Sequence, residues 1–128
     1  MRPVSLTVSI GLLTAACATV PQATLEDRTL SYGCNDAVVI GTVTNGAFAA
    51  VKANGDILGH GWVSATLRAR KVVRGARLPA VLPVRYFAHT YMRQDEPFML
   101  VLKRVDARYE IETGQLMRLR PLLASHCD

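Results

Sequence analysis

Asp36-Ala37-Val38-Val39-Ile40-Gly41-Thr42-Val43-Thr44 is β-branched and apolar at consecutive positions, with a single glycine in its middle. Residues of this kind favour extended backbone, and an apolar side chain on both faces marks a strand buried on both sides or one crossing between two sheets. Gly41 has no side chain to pack, so a strand that keeps it there uses it for a bulge or a sharp bend, a device of barrel corners.

Working outward, residues 45–61 hold Asn45-Gly46, Asn54-Gly55 and Gly59-His60-Gly61, which predict a loop with a turn of helix over residues 47–52. Residues 62–75 alternate, with Val63, Ala65, Leu67 and Ala69 on one side and Ser64, Thr66, Arg68 and Arg70 on the other, as in a half-exposed strand. The phase slips at Lys71, because Val72 and Val73 are adjacent, and that predicts a bulge or a strand end. Residues 78–87 give a third strand, held toward an edge or bulged position by Pro79 and Pro83. Residues 97–104 and 108–113 give a fourth and a fifth, joined as a hairpin through Val105-Asp106-Ala107, with Tyr109 and Ile111 inward. Residues 115–125 read as a short C-terminal helical segment broken by Pro121. The expected class is all-β: a small five-stranded, OB-like Greek-key barrel, with a β-sandwich as the competing architecture.

The N-terminus has a different character. Met1-Arg2-Pro3 carries one positive charge, residues 4–13 are apolar and uncharged, and Thr14-Ala15-Ala16 leads into Cys17. That is the order of a signal peptide over residues 1–16. The apolar run falls short of the roughly 20 residues that span a bilayer, and no later segment is as apolar, so no transmembrane helix is expected. Residues 17–33 are polar and mixed and read as a tether. Residues 34–128, about 95 residues with no internal linker or repeat, form one domain with a single core.

Leu12-Leu13-Thr14-Ala15-Ala16-Cys17-Ala18 resembles a bacterial lipobox, with Thr14 where leucine is usual. The resemblance implies lipidation of Cys17 and a membrane anchor facing the periplasm or exterior. Cleavage after Ala18 or Ala23 would instead release a soluble periplasmic or secreted protein. An exported chain with 3 cysteines leaves one unpaired, and lipidating Cys17 removes the odd one. Cys34 and Cys127 then remain to pair across 93 residue steps, with two free thiols or a metal pair as the alternatives. The net charge of +5 falls to +4 without Arg2 (14 basic against 10 acidic residues), which outside the cytoplasm speaks for solubility or contact with anionic surfaces rather than for nucleic acid.

A cysteine before the opening strand, the basic element Arg70-Lys71-Val72-Val73-Arg74-Gly75, Leu78-Pro79, Asp95-Glu96-Pro97-Phe98-Met99-Leu100-Val101-Leu102, and Arg120-Pro121-Leu122 together resemble the bacterial relatives of the netrin-like, or tissue-inhibitor-of-metalloproteinases-like, OB-fold family. The resemblance covers most of residues 34–128 and implies the OB fold. Relatives commonly carry further cysteines that this chain lacks. Animal inhibitors of the family place an N-terminal cysteine on a protease zinc; here any processed N-terminus precedes Cys34, so that role does not carry over. Fold by itself does not assign function.

The sequence has no phosphate-binding glycine loop, His-Glu-x-x-His, Cys-x-x-Cys or Gly-x-Ser-x-Gly element, so no catalytic residue, metal site or cofactor is expected. His60, His89 and His126 lie in separate segments without ligand spacing. Arg85, Phe87, His89, Tyr91 and Arg93 cluster at the end of the third strand and form the candidate binding patch, with Phe87 and Tyr91 simply capping the barrel as the alternative. Arg68, Arg70, Lys71, Arg74 and Arg85 read as a solvated strand face, since export removes the nucleic-acid reading. The expectation is a non-enzymatic cell-envelope module that binds a protein or envelope polymer, with a periplasmic or secreted hydrolase inhibitor as the alternative. An enzyme using His89 or His126 would need a concave pocket where histidine meets a carboxylate or hydroxyl.

Overall fold

A computed structural model of the chain describes residues 28–127. The expected signal peptide, Cys17, most of the tether and Asp128 lie outside the described residues. The elements are β1 (Thr29–Tyr32), β2 (Ala37–Ala50), β3 (Gly61–Arg74), β4 (Val81–Ala88), β5 (Phe98–Val105), β6 (Arg108–Leu116), a 3-10 turn (Met117–Leu119) and β7 (Leu122–Ser125). Strands β2 to β6 close into a barrel in the order β2-β3-β4-β6-β5, with β5 returning to β2. Every pair is antiparallel except β4 with β6, which is parallel. The exchange of the last two barrel strands makes this the Greek-key closure of an OB-like barrel, and a single closed ring sets aside the sandwich.

The apolar character of β2 on both faces has a direct cause. Val39 and Val43 point into the barrel, where they meet Val63, Leu67, Leu82, Leu100 and Leu102. Val38 points outward into a second cluster with Leu30, Met99 and Val101. That outer cluster is roofed by β1 and β7, which pair in parallel from Thr29↔Leu122 to Tyr32↔Ser125. Strand β1 therefore lies within the segment expected as tether. Its four residues offer one apolar alternation, Leu30 and Tyr32, too little to distinguish strand from coil by periodicity.

Two further expectations are corrected. Residues 45–50 continue β2 rather than forming a loop with a helical turn, and the register slips between Asn45 and Phe48. Asn45-Gly46 sits at that irregularity, where a Cβ on Gly46 would stand 2.7 Å from the Ser64 carbonyl oxygen. At the C-terminus the helical segment shrinks to the 3-10 turn, because Arg120 adopts φ 53° and its N–H closes onto the Met117 carbonyl at 3.0 Å. Pro121 lacks an N–H to continue, and the free edge of β1 supplies partners for β7.

The expected bulges are present. Register shifts fall between Val38 and Val39 and between Ile40 and Gly41, where the opposite strand skips Val73 and Arg70, and a Cβ on Gly41 would collide with the Arg68 backbone carbonyl. Cys34 and Cys127 form a disulfide with Cα atoms 4.9 Å apart, joining the turn after β1 to the tail of β7.

Candidate functional site

Strand β4 alternates cleanly. Val84 and Tyr86 enter the core, so Arg85 and Phe87 face outward. Across the ladder β3 sets Ser64 opposite Arg85 and Trp62 opposite Phe87. The Arg85 guanidinium lies 4.1 Å from the Trp62 ring centroid, a cation–π contact. It also ion-pairs with Glu110 of β6, donating from Nε to Oε1 at 2.7 Å. Trp62 meets the Phe87 ring edge-to-face at 5.3 Å, Phe87 stacks on His60 at 5.7 Å, and His60 meets His89 edge-on at 5.0 Å. Glu110, Arg85, Trp62, Phe87, His60 and His89 thus form one continuous row outside the barrel.

The row ends on the β2–β3 loop, residues 51–60, and one carboxylate shapes its tip. Asp56 accepts the backbone N–H groups of Leu58, Gly59 and His60 at 3.1, 3.1 and 2.8 Å, and its Oδ1 lies 2.9 Å from His60 Nδ1. The His60 ring contact, followed by the backbone donors of His60 and Gly59, lowers the Asp56 pKa from 3.8 to about 2. The carboxylate both fixes the loop and aims the His60 ring at Phe87.

The opposite margin is held by a buried phenol. Tyr86, 4% exposed, donates to Asn45 Oδ1 at 2.5 Å and accepts the Met92 N–H at 2.9 Å. Asn45 Nδ2 in turn donates to the Met92 carbonyl at 2.7 Å, so residues 89–97 are moored across the barrel end. Burial raises the Tyr86 pKa above 10.0.

The five residues of the sequence-derived patch separate on this scaffold. Arg85, Phe87 and His89 join the row. Tyr91 is exposed and shares a shallow pocket of about 310 Å³ with Phe48, Gly59, His89 and Thr90. Arg93 instead pairs with Asp95 at 2.9 Å and Glu96 at 3.1 Å, and the Asp95 bond raises its pKa. Trp62, His60, Asp56 and Glu110 were missed. Trp62 was legible, since placing Val63 inward sets Trp62 outward; the other three depend on strand register and loop closure.

Arg68, Arg70, Lys71 and Arg74 are exposed on β3. Beside Arg85, Ala65, Leu82, Pro83, Val84 and Tyr109 line a groove of about 440 Å³, where β4 and β6 share only two paired positions. His126 lies at the disulfide end, its Nε2 3.1 Å from Ser31 Oγ and its N–H bonded to the Tyr32 carbonyl at 2.9 Å. These contacts fasten the tail of β7 to β1. Among the described residues no three His, Cys, Asp or Glu side chains converge as metal ligands, and no helix is long and apolar enough to cross a membrane.

Comparison with protein-family models, curated proteins and solved structures finds no match to this chain. The netrin-like resemblance rests on the sequence motifs alone.

Proposed function

We propose that the chain is a non-enzymatic module of the bacterial cell envelope, exported by residues 1–16 and anchored through a lipid on Cys17, that binds a protein or envelope polymer on the outer face of β3 and β4. The observation that carries this reading is the row from Arg85 through Trp62, Phe87 and His60 to His89. Arginine and aromatic side chains supply much of the binding energy at recognition surfaces. In OB-like barrels the second and third strands and the loop between the first two are a ligand face, and here those are β3, β4 and residues 51–60. The Cys34–Cys127 disulfide fits an oxidising compartment, and the netrin-like resemblance agrees with the barrel. Co-sedimentation of the full chain with isolated bacterial envelopes tests it. Wild type is expected in the pellet, and folded Trp62→Ala and Phe87→Ala chains in the supernatant; equal retention of all three would remove the row from function.

A second reading, a periplasmic or secreted hydrolase inhibitor, is favoured by the Asp56-braced loop. Ile57 is 94% exposed and Leu58 60%, at the tip of a loop whose shape is already set. A convex, preorganised apolar tip suits insertion into a cleft. Under this reading Ile57→Ser abolishes inhibition of an envelope hydrolase while Trp62→Ala leaves it intact.

A further inference from the structure

The outer side of β3 changes character along its length. It begins with Trp62 opposite Phe87, continues with Ser64 opposite Arg85 and Thr66 opposite Pro83, and reaches Arg68 opposite Val81. Strict alternation would next turn a residue inward after Arg70. The bulge prevents this: Ala69 and Val72 pack on the barrel core, while Arg70 and Lys71 between them are both exposed. Three cations, Arg68, Arg70 and Lys71, therefore gather at one end of the strand. Arg85 and Arg93 have carboxylate partners, whereas these three enter no ion pair among the described residues. From Trp62 to Arg70 the strand rises about 26 Å at the usual spacing per residue.

We infer that this track seats an acidic polysaccharide, with sugar rings against the Trp62, Phe87 and His60 end and carboxylate or phosphate groups on Arg68, Arg70 and Lys71. The inference rests on the β3–β4 face being the binding face and names its occupant. Three observations select it. The cations are unpaired and the chain without residues 1–16 carries +4 (14 basic against 10 acidic residues), which complements a polyanion and steers it to the surface. The face is long and open, which suits an extended chain of several units. Ser64, Thr66 and the Arg85–Glu110 pair place hydroxyl, guanidinium and carboxylate groups between the aromatic and cationic ends, matching the donors and acceptors of sugar hydroxyls. A single-stranded nucleic acid shares the anionic chemistry, but the Cys34–Cys127 disulfide belongs to compartments where envelope polymers are the available polyanions.

Trp62 is the sole tryptophan of the sequence, so its fluorescence reports occupancy of the track directly. The test titrates the disulfide-bonded full chain with polygalacturonate oligomers, uncharged dextran and oligothymidylate, at low and raised salt. The expected result is a saturable change with polygalacturonate that weakens as salt screens the cations, with little response to dextran. The Arg68→Gln/Arg70→Gln/Lys71→Gln chain, shown folded by circular dichroism, is expected to bind about tenfold more weakly, the sum of three exposed ionic contacts. Equal affinity for dextran, unchanged affinity in the triple variant, or tighter binding of oligothymidylate overturns the inference. A chain that sediments with envelopes through Trp62 and Phe87 yet ignores polygalacturonate overturns it while leaving the binding face in place. Envelope binding that survives Trp62→Ala and Phe87→Ala removes the face itself.

Discussion

The Tyr86 hydroxyl donates to the Asn45 side-chain oxygen 2.5 Å away, joining β4 to the irregular part of β2 from inside the barrel. The Tyr86 hydroxyl oxygen in turn accepts the Met92 N–H at 2.9 Å, so one phenol holds three segments. Tyr86→Phe would leave Asn45 Oδ1 and the Met92 N–H short of a partner, costing about 2 kcal/mol on the usual scale for abandoned buried groups. Chemical denaturation reads this as a lower midpoint at an unchanged slope.

The same residue sets an alkaline limit. Burial raises the folded-state pKa of Tyr86 above 10.0, so the folded protein keeps a proton that the unfolded chain gives up. Its contribution is complete below pH 10 and is lost as pH rises from there through the raised folded value. The fall in stability above pH 10 should be shallower in Tyr86→Phe, measured by denaturation at successive pH values.

Asp56 sets the corresponding acidic limit for the loop over residues 51–60. Its folded pKa of about 2 lies below the ordinary 3.8, so the brace is complete above the ordinary value and is lost as pH falls from there through about 2. Protection of the Leu58, Gly59 and His60 amides, relative to the intrinsic exchange rate at each pH, should fall over that interval while the barrel strands stay protected. Asp56→Asn should show fast exchange at neutral pH. Slow exchange in that variant would mean that the loop is shaped by something other than this carboxylate.

The disulfide ties down the β1–β7 roof over Leu30, Val38, Met99 and Val101. Closing a loop of 93 residue steps stabilises a chain by about 4 to 5 kcal/mol through the unfolded state. Reduction, or Cys34→Ser with Cys127→Ser, should lower stability by that order and loosen β7 first. Unchanged exchange at residues 122–125 after reduction would contradict that order of events.

The barrel was legible because its strands carry their own periodicity. The double-faced apolar run of β2 announced cover on both sides, and Gly41 and the adjacent Val72 and Val73 announced the bulges. What was not legible depended on contacts distant in sequence. Residues 29–32 become a strand only because β7 lies beside them, and residues 122–125 only because β1 does. Asn45-Gly46 looked like a turn because the same dipeptide that closes hairpins also permits an irregular strand pressed against a carbonyl. The patch was half visible for the same reason. The clustering of aromatic and polar residues marked Arg85 and Phe87, but their partners Trp62, Glu110 and His60 come from a register and a loop closure that local pattern does not encode.

The β3–β4 face is the surface proposed for binding. Hydrogen–deuterium exchange of the full chain, free and bound to isolated bacterial envelopes, tests it most directly. Binding at this face gives new protection over residues 60–64 and 84–89, with little change at residues 29–32 and 122–125 on the roofed side. Protection confined to the roofed side or the disulfide end, with residues 60–64 and 84–89 unaltered, would contradict it.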